Sequence, residues 1–178
     1  MDFLELSRKR YSVRKFSEQP VEDEKLAKIL EAGRLAPTAK NSQSQIIYIL
    51  KSKEALEKIN EATPMAYHAP LVLMVCYDKN LSYVNTIDQH YKNYNGGETD
   101  AAIVTTQMMM QATELGLGTL WARGYDSQKI IDAFNLPANH ELVCLLDIGY
   151  PAGDSKPSDR HFLRKPLSET TVTFWCLQ

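Results

Sequence analysis

Apolar residues recur along this chain at two spacings, and the spacing assigns most of the elements. Asp2 to Lys9 reads as a short helix. Val21 to Leu35 reads as a longer one, because Leu26, Ile29, Leu30 and Gly33 share one face at helical spacing. Glu22, Asp23 and Glu24 lie in its first turn, where negative charge complements the helix dipole. Ala36-Pro37 closes it, since the residue before proline is pushed out of the helical region. Ile46 to Leu50 is a β-branched run and predicts a strand. Lys53 to Glu61 returns to helical spacing with Leu56 and Ile59 inward. Leu71 to Tyr77, introduced by Pro70, is apolar on both faces and predicts a central strand.

The second half begins less regularly. Asp78 to Gly97 is polar and aromatic, holds Tyr83, Tyr91 and Tyr94, and reads as a mobile or lid-like segment. Glu98 to Leu115 is the longest helical pattern. Its apolar band, Ala101, Ala102, Val104, Thr105, Met108, Met109, Ala112 and Leu115, is wide. Such a band fits either an ordinary core helix or one buried on two sides, against its own core and against a partner. Gly116-Leu117-Gly118 ends it by supplying a residue free to take positive φ. Thr119 to Ala122 is a short extended piece, and Asp126 caps a helix running through Phe134 with Ile130 and Ile131 inward. Leu142 to Ile148 is a third strand. Gly153 to Lys165 is an irregular, charged arm, and Val172 to Leu177 is strand-like and apolar enough to need a cover. Strict βαβ alternation is missing, so the pattern predicts an α+β fold with helices around one sheet.

Composition narrows the function. The 178 residues suffice for one domain, spanning 1–178. A net charge of -2 with 44% hydrophobic residues excludes whole-chain disorder and a general polyanion binder. Cys76, Cys144 and Cys176 form no disulfide framework and read as inert core thiols of a reducing compartment. No signal-peptide h-region opens the chain, and Leu71 to Cys76 falls far short of the roughly 20 residues of a membrane span. A cytoplasmic enzyme or binding domain is expected. Gly116-Leu117-Gly118 lacks the third glycine of a dinucleotide fingerprint, and there is no P-loop, HExxH or GxSxG. His68, His90, His140 and His161 lie too far apart for a local metal motif.

Two cation clusters stand out against that balance. Arg8, Lys9, Arg10 and Arg14 surround Tyr11 and Ser12, and Lys156, Arg160, Arg164 and Lys165 lie near the other end. They read either as two solvated patches or as one focused anion site, for which arginine forks and a serine hydroxyl suit phosphate oxygens. Ala36 to Gln43 offers amides that could read a ring edge of alternating carbonyl and NH groups, or forms an ordinary polar loop.

Four segments together resemble one family. Arg10-Tyr11-Ser12-Val13-Arg14-Lys15-Phe16 resembles the RRSxRxF signature of FMN-dependent nitroreductase-family oxidoreductases. Ala36 to Gln43 resembles its APSxxNxQ segment, and Leu115 to Trp121 its LGLGxxW segment. Asp147-Ile148-Gly149-Tyr150-Pro151 and Arg164-Lys165-Pro166-Leu167 are similar to its closing GYP and RKPL pieces. The order is the family's and nearly the whole chain is covered.

The resemblance implies a nitroreductase-like α+β fold: a central, mostly antiparallel sheet flanked by helices, with the C-terminal segment exchanged with the partner of a homodimer. It implies that Arg10, Tyr11, Ser12 and Arg14 hold the FMN phosphate and ribityl chain, with Arg164 and Lys165 adding phosphate contacts. Asn41, with Gln43 nearby, would read the flavin ring. Pro37, Thr38 and Ala39 would reach the flavin held mainly by the other subunit, and Trp121, Ala122, Arg123 and Gly124 would run along it. NADH or NADPH would give hydride to flavin N5, then yield its place to a nitroaromatic, quinone or enone in a ping-pong cycle. No catalytic side chain is required. Tyr67, Tyr91 and Tyr94 are candidate pocket walls. A flavin store without turnover, or a branch that dehalogenates a substrate or consumes flavin, are the rival readings. Two departures bear on the site: Ser44-Gln45 stands where relatives have Pro-Trp, and Arg123 occupies a position variable or acidic in relatives.

Overall fold

Helix α1 (Phe3–Lys9) opens on a capping box: the Asp2 carboxylate accepts from the Glu5 N–H at 2.8 Å, and Glu5 accepts from the Asp2 N–H. It is the first element of a computed structural model that describes residues 2–174. Helix α2 (Asp23–Arg34) follows, then strand β1 (Gln45–Leu50) and helix α3 (Lys53–Ala62), capped by Ser52. Strand β2 (Leu71–Asp78) leads into a hairpin of two very short strands, β3 (Val84–Asn85) and β4 (Tyr94–Asn95). Helix α4 (Gly97–Glu114), strand β5 (Gly118–Ala122), helix α5 (Ser127–Phe134) and strand β6 (His140–Gly149) complete the regular structure.

The four longer strands form one sheet in the order β1-β2-β6-β5, antiparallel throughout. Both faces are covered. Leu26 and Ile29 of α2 and Ala101, Val104, Met108 and Ala112 of α4 pack on one side against Leu73, Val75, Leu146 and Ile148. Ile59 of α3 and Ile130 of α5 pack on the other against Val72, Met74, Leu120 and Leu145. This double cover is why β2 is apolar at every position from Leu71 to Cys76. Side chains such as Ile29, Met108 and Leu145 are fully buried, each stabilising the fold by roughly 1.5–3 kcal/mol.

Helix α4 has the buried core stripe that both readings share, and its other face is uncovered in the single chain. Its inner stripe is buried, while Ile103 faces outward and Ala102 and Met110 are half-buried. Cys76 and Cys144 are buried free thiols, pushed up to about 12 by desolvation; Cys176 lies outside the described residues. No helix among the described residues is long and apolar enough to cross a membrane.

The expected terminal strand is corrected. Val172, Thr173 and Phe174 belong to no strand and are exposed, because no neighbouring strand offers them a ladder among the described residues; Trp175 to Leu177 lie outside the described residues. Within the Asp78 to Gly97 segment the structure adds a short hairpin, β3 and β4, that the sequence pattern did not predict.

Candidate functional site

The Leu115 to Gly118 segment determines how the N-terminal stretch meets the sheet. Gly116 has φ +81°, and the Leu117 and Gly116 N–H groups return to the Ala112 and Thr113 carbonyls, a Schellman stop for α4. Gly118 then starts β5 where a side chain has no room: a Cβ there would lie 2.5 Å from Val13 Cγ2. Val13 is buried against it, and its N–H donates to the Thr119 carbonyl at 2.9 Å. With Val13 inward, Ser12 and Arg14 project outward. The Ser17 and Ala152 N–H groups bond the Tyr150 and Lys15 carbonyls and fix the rest of the stretch beside the end of β6.

The C-terminal arm returns over these outward side chains. The Tyr11 hydroxyl donates to Ser155 Oγ at 3.2 Å, the Tyr11 ring meets His161 edge-on, and His161 Nε2 lies 3.1 Å from the Arg8 carbonyl. Between stretch and arm is a cavity of about 240 Å³ lined by Arg10, Ser12, Arg14, Ser158, Arg160, His161 and Arg164. No carboxylate lines it. Among the described residues none of its four arginines makes an ion pair. The Arg10 guanidinium is held below its usual range by burial and by the neighbouring Arg164 charge. Four forks converging without a counter-ion can bind an oxyanion of more than one charge. Arg10 and Arg14 of one cation cluster and Arg160 and Arg164 of the other thus line one cavity, while Arg8, Lys9 and Lys156 do not.

Two expected members stand aside. Lys165 points to Glu169 at 3.8 Å and is not in the cavity wall. Tyr11 braces the arm through Ser155. Ser158 and His161 were not expected; their approach depends on the path of an irregular arm, which no periodicity reports.

The loop from Pro37 to Gln43 is held in a costly shape. Lys40, Asn41 and Gln43 all have left-handed φ, near 50°, without being glycine. The buried Asp100 of α4 stabilises it: its carboxylate accepts from the Ala39 N–H at 2.9 Å and from the Ser42 hydroxyl at 3.3 Å. Thr38 Oγ1 accepts from the Gln43 N–H. Pro37 and Asn41 are exposed, so the Asn41 amide is presented outward. At the base of the loop, Ser44 Oγ and Gln45 Oε1 are buried without a partner. The sequence carries a faint sign of this anchor in Asp100, an acid on the otherwise apolar side of α4.

The exit of β5 lies at the same end of α4. Ala122 is buried, Trp121 is half-buried, and Arg123 and Gly124 are exposed. The Arg123 guanidinium pairs with Glu98 in the first turn of α4. Trp121 also joins Phe3, Ala102, Ile103, Thr106 and Met110 around an apolar surface cavity of about 380 Å³. The loop and the β5 exit therefore converge on the start of α4, while the arginine cavity contains neither. Tyr91 and Tyr94 are exposed on the hairpin with ring centroids 6.4 Å apart, and the Tyr67 hydroxyl meets Met65 Sδ. None of the three reaches the arginine cavity.

Residues 7–66 and 60–150 match the model of the Nitroreductase family. A nitroreductase family protein of Clostridium difficile 630 is 38% identical, with a TM-score of 0.89 over 99% of this chain and 100% of that one. An FMN-dependent nitroreductase of Clostridium difficile R20291 is 27% identical, with a TM-score of 0.74 over 97% and 98% of the two chains. An FMN reductase using NAD(P)H from Bacillus subtilis strain 168 is 32% identical over 164 residues, 84% of this chain and 66% of that protein.

Proposed function

The chain belongs to the nitroreductase family, and from that premise we propose an FMN-dependent oxidoreductase that carries electrons from NAD(P)H to a small acceptor, a nitroaromatic, quinone or enone. The observation that carries the reading is the arginine cavity, whose cations pair with no carboxylate among the described residues. A phosphate monoester has close to two negative charges at neutral pH and three acceptor oxygens. Arg10, Ser12, Arg14 and Arg164 match it in charge and in donors. Relatives named for FMN support the same assignment.

When bound, FMN supplies the redox chemistry, taking electrons from NAD(P)H and giving them to the acceptor in separate half-reactions. The chain's own residues bind and orient. Arg10, Arg14 and Arg164 anchor the phosphate end. The Pro37 to Gln43 loop, rigid through Asp100, presents the Asn41 and Gln43 amides to a ring edge. Arg123, turned to Glu98, offers its backbone to the ring while its charge is neutralised on α4. No side chain has to move a proton.

The active unit in this reading is a homodimer. The outward face of α4 is apolar around Ile103 and Met110, and Phe162, Leu163, Leu167, Val172 and Phe174 are exposed along the arm. An arm laid on a second copy would cover these side chains and bring one copy's Pro37 to Gln43 loop toward the other's flavin. The test is the visible spectrum of the purified protein. A flavin spectrum that bleaches with NADH or NADPH and recovers with a quinone supports the reading; colourless protein that takes up no added FMN overturns it. Flavin that neither donor bleaches assigns the protein to storage. A monomeric mass in solution removes the dimer.

A further inference from the structure

A second cavity, of about 330 Å³, adjoins the first and shares Ser12, Arg14 and Ser158 with it. Its other walls are Lys15, Asp154, Ser155 and Lys156. Lys15 pairs with Asp154 at 2.5 Å, which matches one cation with the one carboxylate in the wall. Lys156 makes no ion pair among the described residues, and Arg14 donates only to the Ser12 carbonyl. Ser155 Oγ accepts from Tyr11, which leaves its own proton free to donate. With Arg14 shared with the first cavity and Lys15 matched by Asp154, Lys156 is the unpaired cation that belongs to this wall alone, and serine hydroxyls ring it.

An unpaired ammonium beside serine hydroxyl donors and the shared Arg14 fork suits a second phosphomonoester and has no counterpart in a ribose hydroxyl. Arg10, Arg160 and Arg164 line the first cavity and not the second, and serve the flavin phosphate together with the shared Arg14. Of the two nicotinamide donors, NADPH alone carries a phosphomonoester, on its adenosine ribose; NADH has a hydroxyl there.

We propose that the cavity walled by Ser155 and Lys156 takes the 2′-phosphate of NADPH and makes this protein prefer NADPH to NADH. The inference rests on the reading that the first cavity holds the flavin phosphate. It adds a residue, Lys156, that lies outside the segments that carry the resemblance.

The test uses the FMN-loaded enzyme with a fixed quinone acceptor and each donor in turn. The wild type is expected to show kcat/KM at least about tenfold higher with NADPH. Lys156→Ala should lower kcat/KM for NADPH about tenfold through KM, with kcat at saturation unchanged, and shift NADH less than twofold. Lys156→Arg should restore the preference. Equal use of both donors by the wild type, or equal loss with both in Lys156→Ala, overturns the proposal. A loss of FMN affinity in Lys156→Ala that matches the loss with NADPH also overturns it, by assigning the cavity to the flavin. Wild-type protein that binds no FMN defeats the underlying reading instead, which the absorbance spectrum reports separately.

Discussion

Asp147 sits at the centre of the sheet, on β6 between Val72 of β2 and Leu120 of β5. It is fully buried, and neither carboxylate oxygen has a hydrogen-bond partner among the described residues. Desolvation raises its pKa from 3.8 to about 8. The folded protein therefore keeps a proton that the unfolded chain releases near pH 4. Between those values the unfolded state binds fewer protons, so stability falls as pH rises, by about 1.4 kcal/mol per pH unit. Below pH 4 the contribution is constant, and above pH 8 the loss is complete. Asp147→Asn keeps the shape and cannot ionise. Its difference in unfolding free energy from wild type should change by about 4 kcal/mol between pH 4.5 and 7.5, in favour of the variant at high pH. Other titrating groups cancel in that difference. Urea unfolding of both proteins, with FMN at one fixed excess and equal protein concentrations, measures it. A difference constant within about 1 kcal/mol across the window would refute the reasoning, because it would mean that Asp147 is ionised and solvated in the folded state.

Three further outcomes follow from the site. Arg10→Ala should weaken FMN by roughly 10- to 150-fold, the equivalent of a charge-assisted bond of about 1.5–3 kcal/mol, and leave riboflavin within about twofold; fluorescence titration with both ligands checks it, and equal losses remove Arg10 from the phosphate. Asp100→Ala deprives the Ala39 N–H and the Ser42 hydroxyl of their acceptor, so it should cost about 1–3 kcal/mol in urea unfolding and lower flavin affinity for FMN and riboflavin alike. Gly118→Ala places a methyl 2.5 Å from Val13 Cγ2, so it should destabilise by about 1–3 kcal/mol, and Val13→Ala in the same chain should recover much of that loss.

The elements were legible because each of the longer helices and strands has a covered face, and covering writes a period into the chain. Leu26, Ile29 and Gly33 mark α2 at helical spacing, and the unbroken run from Leu71 to Cys76 marks a strand roofed on both sides. The β3–β4 hairpin was not legible, because two strands of two residues each have no period to read. Of the site, the polar signatures were visible as motifs, and the LGLG segment has a plain physical basis: Gly116 for a left-handed stop, Gly118 for contact with Val13. What stayed hidden were partners separated by long stretches of irregular chain. Asp100 on the buried side of α4 hints at an anchor without naming Ala39, and nothing local announces that His161 lies against Tyr11 or that Lys165 turns to Glu169 and away from the cavity.

The arginine cavity also reconciles a net charge of -2 with an anionic ligand. Total charge governs long-range attraction, but affinity at a small site depends on local pairing. Eight ion pairs tie up lysines and arginines elsewhere on the described surface, and none involves Arg10, Arg14, Arg160 or Arg164. These four are therefore held close together by the fold, and the Arg164 charge acts against Arg10. Their repulsion destabilises the folded state until an anion arrives. Under the proposed function, phosphate binding would relieve it, so the same repulsion would strengthen the phosphate bond and couple flavin binding to folding. A ligand at 100 times its Kd stabilises by about 2.7 kcal/mol through mass action alone. The clamp also joins two parts of the chain that share little regular structure, the Arg10 to Arg14 stretch and the arm from Ser158 to Arg164. Under the proposed function, a phosphate held between them would act as a cross-link that fixes the arm to the stretch.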